Sequence, residues 1–177
     1  MLSIVAFILI TISGQCYSFN NIITYLGKSR TRASSYAKYT SWNSIDKGII
    51  TMSFITSDPD GLLLHIGDSN TTEWTRNYLE LRIRNGMLNF ISKVKNGSNV
   101  VKWKRVWYAK EVDDLTWHKV EIRRDGINAM IELDEEKMLV QFGVLGIKTI
   151  ALKGVIYTGG APNGGSLDCG KSSRAAE

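Results

Sequence analysis

The chain is poor in the residues that build stapled scaffolds and metal centres. Among 177 residues there are two cysteines (Cys16, Cys169), two histidines (His65, His118) and two prolines. Two cysteines cannot form a disulfide framework, and with two histidines they make a poor zinc set. Two prolines, and sixteen glycines without a period, exclude Pro-rich disordered and collagen-like chains. No phosphate-binding P-loop or nucleophile-elbow glycine pattern occurs. The excess of basic over acidic residues, 22 against 17, is too mild for a dedicated nucleic-acid binder. What remains is a single globular domain, 44% hydrophobic and 22% charged, long enough to bury a core.

Charge of either sign is absent before Lys28. Within that stretch Ile4 to Ile12 is an apolar run of signal-peptide length, followed by the small or polar residues Ser13, Gly14, Gln15, Cys16 and Ser18. The small-x-small rule places a cut after Cys16 or after Ser18, so residues 1–18 are expected to be a secretory leader. The run is too short for a membrane span, which takes about 20 apolar residues. Export would leave Cys169 without a partner inside the chain. It would also make Asn70-Thr71-Thr72 and Asn96-Gly97-Ser98 acceptors for glycans.

From Gly48 onward the apolar period is two, the signature of strands rather than helices. Ile50, Met52 and Phe54 share one face; Leu62, Leu64 and Ile66 repeat it after the Asp58-Pro59-Asp60-Gly61 turn. Leu79, Leu81 and Ile83 then alternate with Glu80, Arg82 and Arg84 up to Asn85-Gly86, a strong hairpin signal. Further alternating segments are expected at 87–95, 100–108, 117–124, 128–134, 138–142 and 155–158. Short strands joined by tight turns predict an all-β, antiparallel two-sheet jelly-roll sandwich. Residues 166–177 lose the alternation and read as a polar tail.

Gly61-Leu62-Leu63-Leu64-His65-Ile66-Gly67, the run from Asn77 to Gly86, and Trp117-His118-Lys119-Val120 with Arg123-Arg124 resemble a laminin G-like (LNS) domain. Ile131 to Asp134 and Val155 to Pro162 are similar to later strands of that family, in the same order. Tyr36-Ala37-Lys38-Tyr39 with Trp42 is most similar to the opening of the first LNS domain of alpha-neurexins. The resemblance covers residues 19–165. It implies a laminin G/concanavalin-like jelly roll acting in adhesion at the extracellular surface, by binding rather than catalysis. Family members continue past Pro162 into closing strands, so an unpaired edge beside Val155 to Thr158 is expected here. The family's rim calcium site draws a carboxylate from the position held here by Asn77, so Asp68 and Asn77 are weak calcium candidates. No other cofactor is implied.

Two constellations carry possible chemistry. Glu132-Leu133-Asp134-Glu135-Glu136 would suit a concanavalin-like glycosidase or carbohydrate-binding jelly roll if its alternate carboxylates shared one strand face. The laminin G resemblance implies instead that Asp134 starts a turn, with Glu135, Glu136 and Lys137 solvated, and His118, on the face of Val120 and Ile122, reads as a hydrogen-bonded structural residue. The second is charge. Between Glu80 and Glu111 there are eight basic residues and no acidic one, leaving 14 basic against 17 acidic elsewhere. Lys93 and Lys95 share a face by period two, as do Lys102 and Lys104, and Arg105 follows. A lysine strip across the Asn96-Gly97 turn suits a polyanion, which outside cells means heparan sulfate rather than nucleic acid. Trp103 and Trp107, alternating with these cations, are expected to face the core. The same lysines would also keep a strand edge from pairing with other chains. The partners expected are therefore extracellular or cell-surface proteins and heparan sulfate.

Overall fold

The alternation seen in the sequence becomes strands almost residue for residue in the computed structural model. It describes residues 6–14, 17–26, 36–42, 47–67, 78–96, 100–126, 128–141 and 154–159, with the backbone alone for 6–14, 17–26, 40–42, 93–96, 100–105, 140–141 and 154. The strands are β1 (Ala6–Gly14), β2 (Tyr17–Leu26), β3 (Ala37–Trp42), β4 (Lys47–Ile55), β5 (Gly61–Gly67) and β6 (Tyr78–Arg84). They continue as β7 (Met87–Asn96), β8 (Val100–Glu111), β9 (His118–Asp125), β10 (Asn128–Leu133), β11 (Glu136–Gln141) and β12 (Gly154–Thr158). They form two six-stranded antiparallel sheets, ordered β11-β10-β9-β4-β1-β2 and β3-β12-β5-β6-β7-β8.

One face of each sheet makes the core. Ile50, Met52 and Phe54 of β4, Val120 and Ile122 of β9, and Ile131 and Leu133 of β10 line the first sheet. Leu64, Ile66, Leu79, Leu81, Leu88, Phe90 and Ile156 line the second. Removing one such aromatic, as in Phe54→Ala, costs about 3–5 kcal/mol in a packed interior. Tyr108 spans the layers: it is buried on β8 and its hydroxyl donates to the Ile131 carbonyl of β10 at 2.6 Å. Burial, helped by Glu136 and Glu132, pushes its phenol well above the usual tyrosine range.

The turns follow their residues. Asn85 and Gly86 hold φ of 51° and 75°, which suits a two-residue hairpin that leaves Arg84 opposite Met87. At Gly67 a Cβ would lie 2.7 Å from His65 Nε2, so only glycine lets the His65 ring lie there. A β-bulge between Leu62 and Leu64 turns Leu63 into the core as well, which the simple alternation did not foresee.

Three expectations are corrected. The strand at Val155 to Thr158 is not an edge: β12 is hydrogen-bonded to β3 on one side and β5 on the other. Trp107 does not face the core: it is 39% exposed, and its neighbour Tyr108 points inward instead. Glu80, read as one of the polar series that alternates with Leu79, Leu81 and Ile83, is fully buried, ion-paired with Arg82 and with Oε2 at 3.6 Å from His65 Nδ1. Placing the carboxylate against the Arg82 guanidinium offsets the cost of burying it.

Residues 6–14, which overlap the apolar run Ile4 to Ile12 of the expected leader, form β1 between β2 and β4. Its register sets Ile8, Ile10 and Ile12 opposite Phe54, Met52 and Ile50. Alternation inside a short apolar run satisfies a strand as readily as a leader.

Candidate functional site

The densest polar cluster among the described residues sits where β8 ends and β9 begins. His118, 2% exposed, is the first residue of β9 and packs against its cross-strand partner Phe54, ring centroids 5.5 Å apart. Its Nδ1 lies 2.7 Å from Asp134 Oδ2 and its Nε2 3.0 Å from Asp114 Oδ1. Asp134 also accepts from Lys110 Nζ at 2.6 Å and from the Lys119 N–H at 2.8 Å. Asp114 accepts from both the Thr116 N–H and the Thr116 hydroxyl, each at 2.8 Å.

These bonds set the electrostatics. The Thr116 bonds, with the His118 ring behind them, hold the Asp114 carboxyl down at about 2. Partial burial pushes Asp134 up, but the donors Lys110, His118 and the Lys119 N–H outweigh it and hold it below the usual range. The Asp134 bond in turn raises Lys110. The price in backbone strain falls on Asp134 and Glu135, which take φ of 46° and 77° in the two-residue turn between β10 and β11. Only that turn brings Asp134 under His118.

Thr116, His118 and Asp134 have the order of a nucleophile–base–orienter set, with Thr116 Oγ1 3.4 Å from His118 Nε2. The chemistry does not follow from the order. The Thr116 hydroxyl is directed at Asp114, and both ring nitrogens of His118 already face carboxylate oxygens, at 2.7 and 3.0 Å, closer than the threonine. The acidic motif is also folded apart. β10 stops at Leu133, the chain turns at Asp134–Glu135, and Glu136 starts β11. Glu132, Asp134 and Glu136 therefore do not line one strand face, as a retaining glycosidase would need. Glu135, Glu136 and Lys137 are exposed, as the turn reading expects.

The basic segment is the hairpin β7–β8, with β8 at the edge of its sheet. Its register pairs Lys93 with Trp103, Lys95 with Val101, Ile91 with Arg105, Ser92 with Lys104 and Val94 with Lys102. Opposed residues of an antiparallel pair belong to the same side of the sheet. Lys93, Lys95 and Arg105 thus fall in one alternation series, and Lys102 and Lys104 in the other, so the turn adjoins the two lysine pairs without merging them. Of the remaining cations in this stretch, Lys110 is drawn to Asp134 and Arg82 to Glu80. The calcium candidates Asp68 and Asn77, the acceptor Asn70, and both cysteines lie outside the described residues. Asn96 is the last residue of β7, opposite Val100.

Sequence reasoning found His118 but missed its partners. The cue was there in part: an inward-facing histidine at a strand start needs partners within reach. Asp114, four residues earlier, was legible; Lys110 and Asp134 required knowledge of how three strands converge.

Comparison with known proteins agrees with this architecture. The family model of the laminin G domain matches residues 54–175. The basement membrane-specific heparan sulfate proteoglycan core protein of Mus musculus is 28% identical over 118 residues, covering 67% of this chain and 3% of that protein. Neurexin-3a of Danio rerio is 26% identical over 161 residues, covering 85% of this chain and 9% of that protein. Among solved structures, domains LG4-5 of the mouse laminin alpha1 chain superpose with a TM-score of 0.58 at 19% identity. That match covers 73% of this chain and 32% of the laminin chain. The chain thus spans less than a tenth of either curated relative. With the two antiparallel sheets and the matched model covering more than half its length, the chain belongs to the laminin G domain family.

Proposed function

We propose that this chain is an extracellular, neurexin-like laminin G binding module that engages cell-surface proteins and heparan sulfate in cell adhesion. Its neurexin and proteoglycan relatives support the extracellular setting, and the apolar run from Ile4 to Ile12 supports entry into the export pathway, although cleavage after Cys16 or Ser18 would remove β1 from the first sheet. Among the described residues no helix is long and apolar enough to cross a membrane. Glycans at Asn70 and Asn96 fit the same compartment.

The observation that carries the glycosaminoglycan part is the acid-free run of cations in the sequence of the β7–β8 hairpin. Lys93, Lys95, Lys102, Lys104 and Arg105 fall within thirteen residues (93–105), and the stretch from residue 81 to 110 has no acid. Such a run attracts a sulfated chain over a distance set by the Debye length, about 8 Å at physiological salt. Catalysis is not part of this reading: the carboxylates of residues 132–136 are parted by a turn and the His118 ring is fully engaged. Calcium is not required by it either, since Asn77 brings no charge to the rim.

A second reading rests on the edge position of β8. Lysines there prevent sheet-to-sheet pairing and would do so without any ligand. Binding of the secreted chain to cultured cells before and after heparinase treatment separates the two. The binding reading expects cell binding that drops on treatment, with a residue of protein-mediated binding. No cell binding at all, together with aggregation when the lysines are neutralised, would favour the edge-protection reading.

A further inference from the structure

The hairpin that carries the lysines has a glycosylation sequon at its end, and the strand register decides which lysines a glycan there would adjoin. β7 ends at Asn96 and β8 begins at Val100, with Asn96-Gly97-Ser98 leading into the turn. From Asn89 opposite Trp107 to Asn96 opposite Val100 the pairing has no register shift, so two alternation series run unbroken along this part of the hairpin. One series holds Phe90 of the core, then Ser92, Val94 and Asn96. On β8 the same series holds Val106, packed against that core, then Lys104 and Lys102. The other series holds Ile91, Lys93 and Lys95 on β7, and Trp107, Arg105 and Trp103 on β8.

Asn96 therefore shares a side of the sheet with Lys102 and Lys104 and belongs to the opposite side from Lys93, Lys95 and Arg105. Lys95, its neighbour in sequence, is on the far side. Measured along β8 from Val100, Lys102 comes after about 7 Å and Lys104 after about 14 Å. A glycan is bulky and hydrated, and one that starts on this side competes with a sulfated chain for the same space. The other side keeps its cations in line. Lys95, Lys93 and Arg105, the last opposite Ile91, follow one another in steps of about 7 Å along the strands, within a Debye length at physiological salt. Trp107, further along that series, is 39% exposed, so solvent reaches this side of the edge strand.

We infer that a glycan on Asn96 closes the Lys102–Lys104 side of the hairpin to heparan sulfate and leaves Lys93, Lys95 and Arg105 as the binding side. The inference rests on the glycosaminoglycan reading above and adds a regulation to it. Sequon occupancy sets how much charge the polyanion meets: five cations on two sides without the glycan, three on one side with it. Binding is graded by the modification rather than abolished, and the two lysine pairs stop being equivalent.

The test uses the whole chain secreted from cells that add neutral, high-mannose glycans, with Asn70→Gln throughout so that Asn96 is the remaining sequon. Occupancy at Asn96 is read by mass spectrometry, folding by thermal melting, and binding by elution from immobilised heparin along a salt gradient. Asn96→Gln and Ser98→Ala each remove the sequon, and both should elute at higher salt than the glycosylated chain. In the glycosylated chain, Lys93→Gln with Lys95→Gln should bring elution most of the way to a neutral control. Lys102→Gln with Lys104→Gln should leave it unchanged. In the Asn96→Gln background each pair should lower the elution salt. The two pairs remove the same charge, so a response to net charge alone would move both equally in either background. Equal losses from the two pairs in the glycosylated chain, or elution indifferent to the sequon, would overturn the inference and leave the heparin reading standing. An unoccupied Asn96 in the secreted chain would overturn it as well. Elution of every variant with the neutral control would overturn both.

Discussion

The outer side of β9–β11 and the hairpin β7–β8 are both rich in charge, yet they spend it differently. In the first, opposite charges close on one another: Lys47 with Asp125, Arg123 with Glu121, Lys137 with Glu132 and Lys110 with Asp134. In the second, a run of cations has no acid between residues 81 and 110. Compensated charge builds structure and is nearly silent to solvent at a distance. A run of like charge in the sequence contributes little to the fold and projects a field. The contrast divides the molecule into a region whose ionic residues should matter for stability and one whose ionic residues should matter for binding.

The largest effect should come from breaking the compensated region at its centre. Asp134→Ala removes the partner of Lys110, of His118 and of the Lys119 N–H, leaving a buried imidazole facing an empty position. Denaturant unfolding should show a loss of about 2–4 kcal/mol. A loss below about 1 kcal/mol would mean the cluster is ornamental. By contrast, reversing Lys93 and Lys95 should leave the melting temperature within a few degrees of the parent.

Acid should act next. Both Asp114 and Asp134 have their carboxyls lowered in the folded state, so the stability they contribute is complete above the ordinary aspartate range near 4. It should be lost as pH falls towards about 2, where Asp114 protonates. Melting temperature followed from pH 5 to pH 2 should fall steeply, and less steeply in Asp114→Asn. Equal slopes for parent and variant would remove Asp114 from the account.

Smaller still is Lys137→Ala. Its bond to Glu132 is 3.8 Å long with the lysine side chain 62% exposed, and such surface pairs contribute about 0–1 kcal/mol. A larger loss would show that the outer ion pairs act as a network. Calcium should do nothing measurable: with the uncharged Asn77 where the laminin G resemblance implies a carboxylate, millimolar calcium should not raise the melting temperature. An upshift abolished by Asp68→Ala would contradict this.

How far the sequence reached can be seen at particular residues. The face of Ile50, Met52 and Phe54 was legible because period two has a single solution once one side is buried. The Asn85–Gly86 hairpin was legible because those residues tolerate positive φ. Asp134–Glu135 makes the same positive-φ turn without glycine; the laminin G resemblance placed a turn there, but no turn rule signals a carboxylate set beside His118. Glu80 was misjudged since alternation reports only which side of a strand a residue takes. The lysine strip was legible as composition, but its division into two series depended on register, which follows from which residues of β7 and β8 face each other.

The most direct test of the binding region is elution from immobilised heparin along a salt gradient. The parent chain should elute well after a neutral control protein of similar size. Replacing Lys93, Lys95, Lys102 and Lys104 together by Glu should bring it back to the control, with the melting temperature unchanged. Elution of the parent with the control, or unaltered retention of the fourfold variant, would contradict the account.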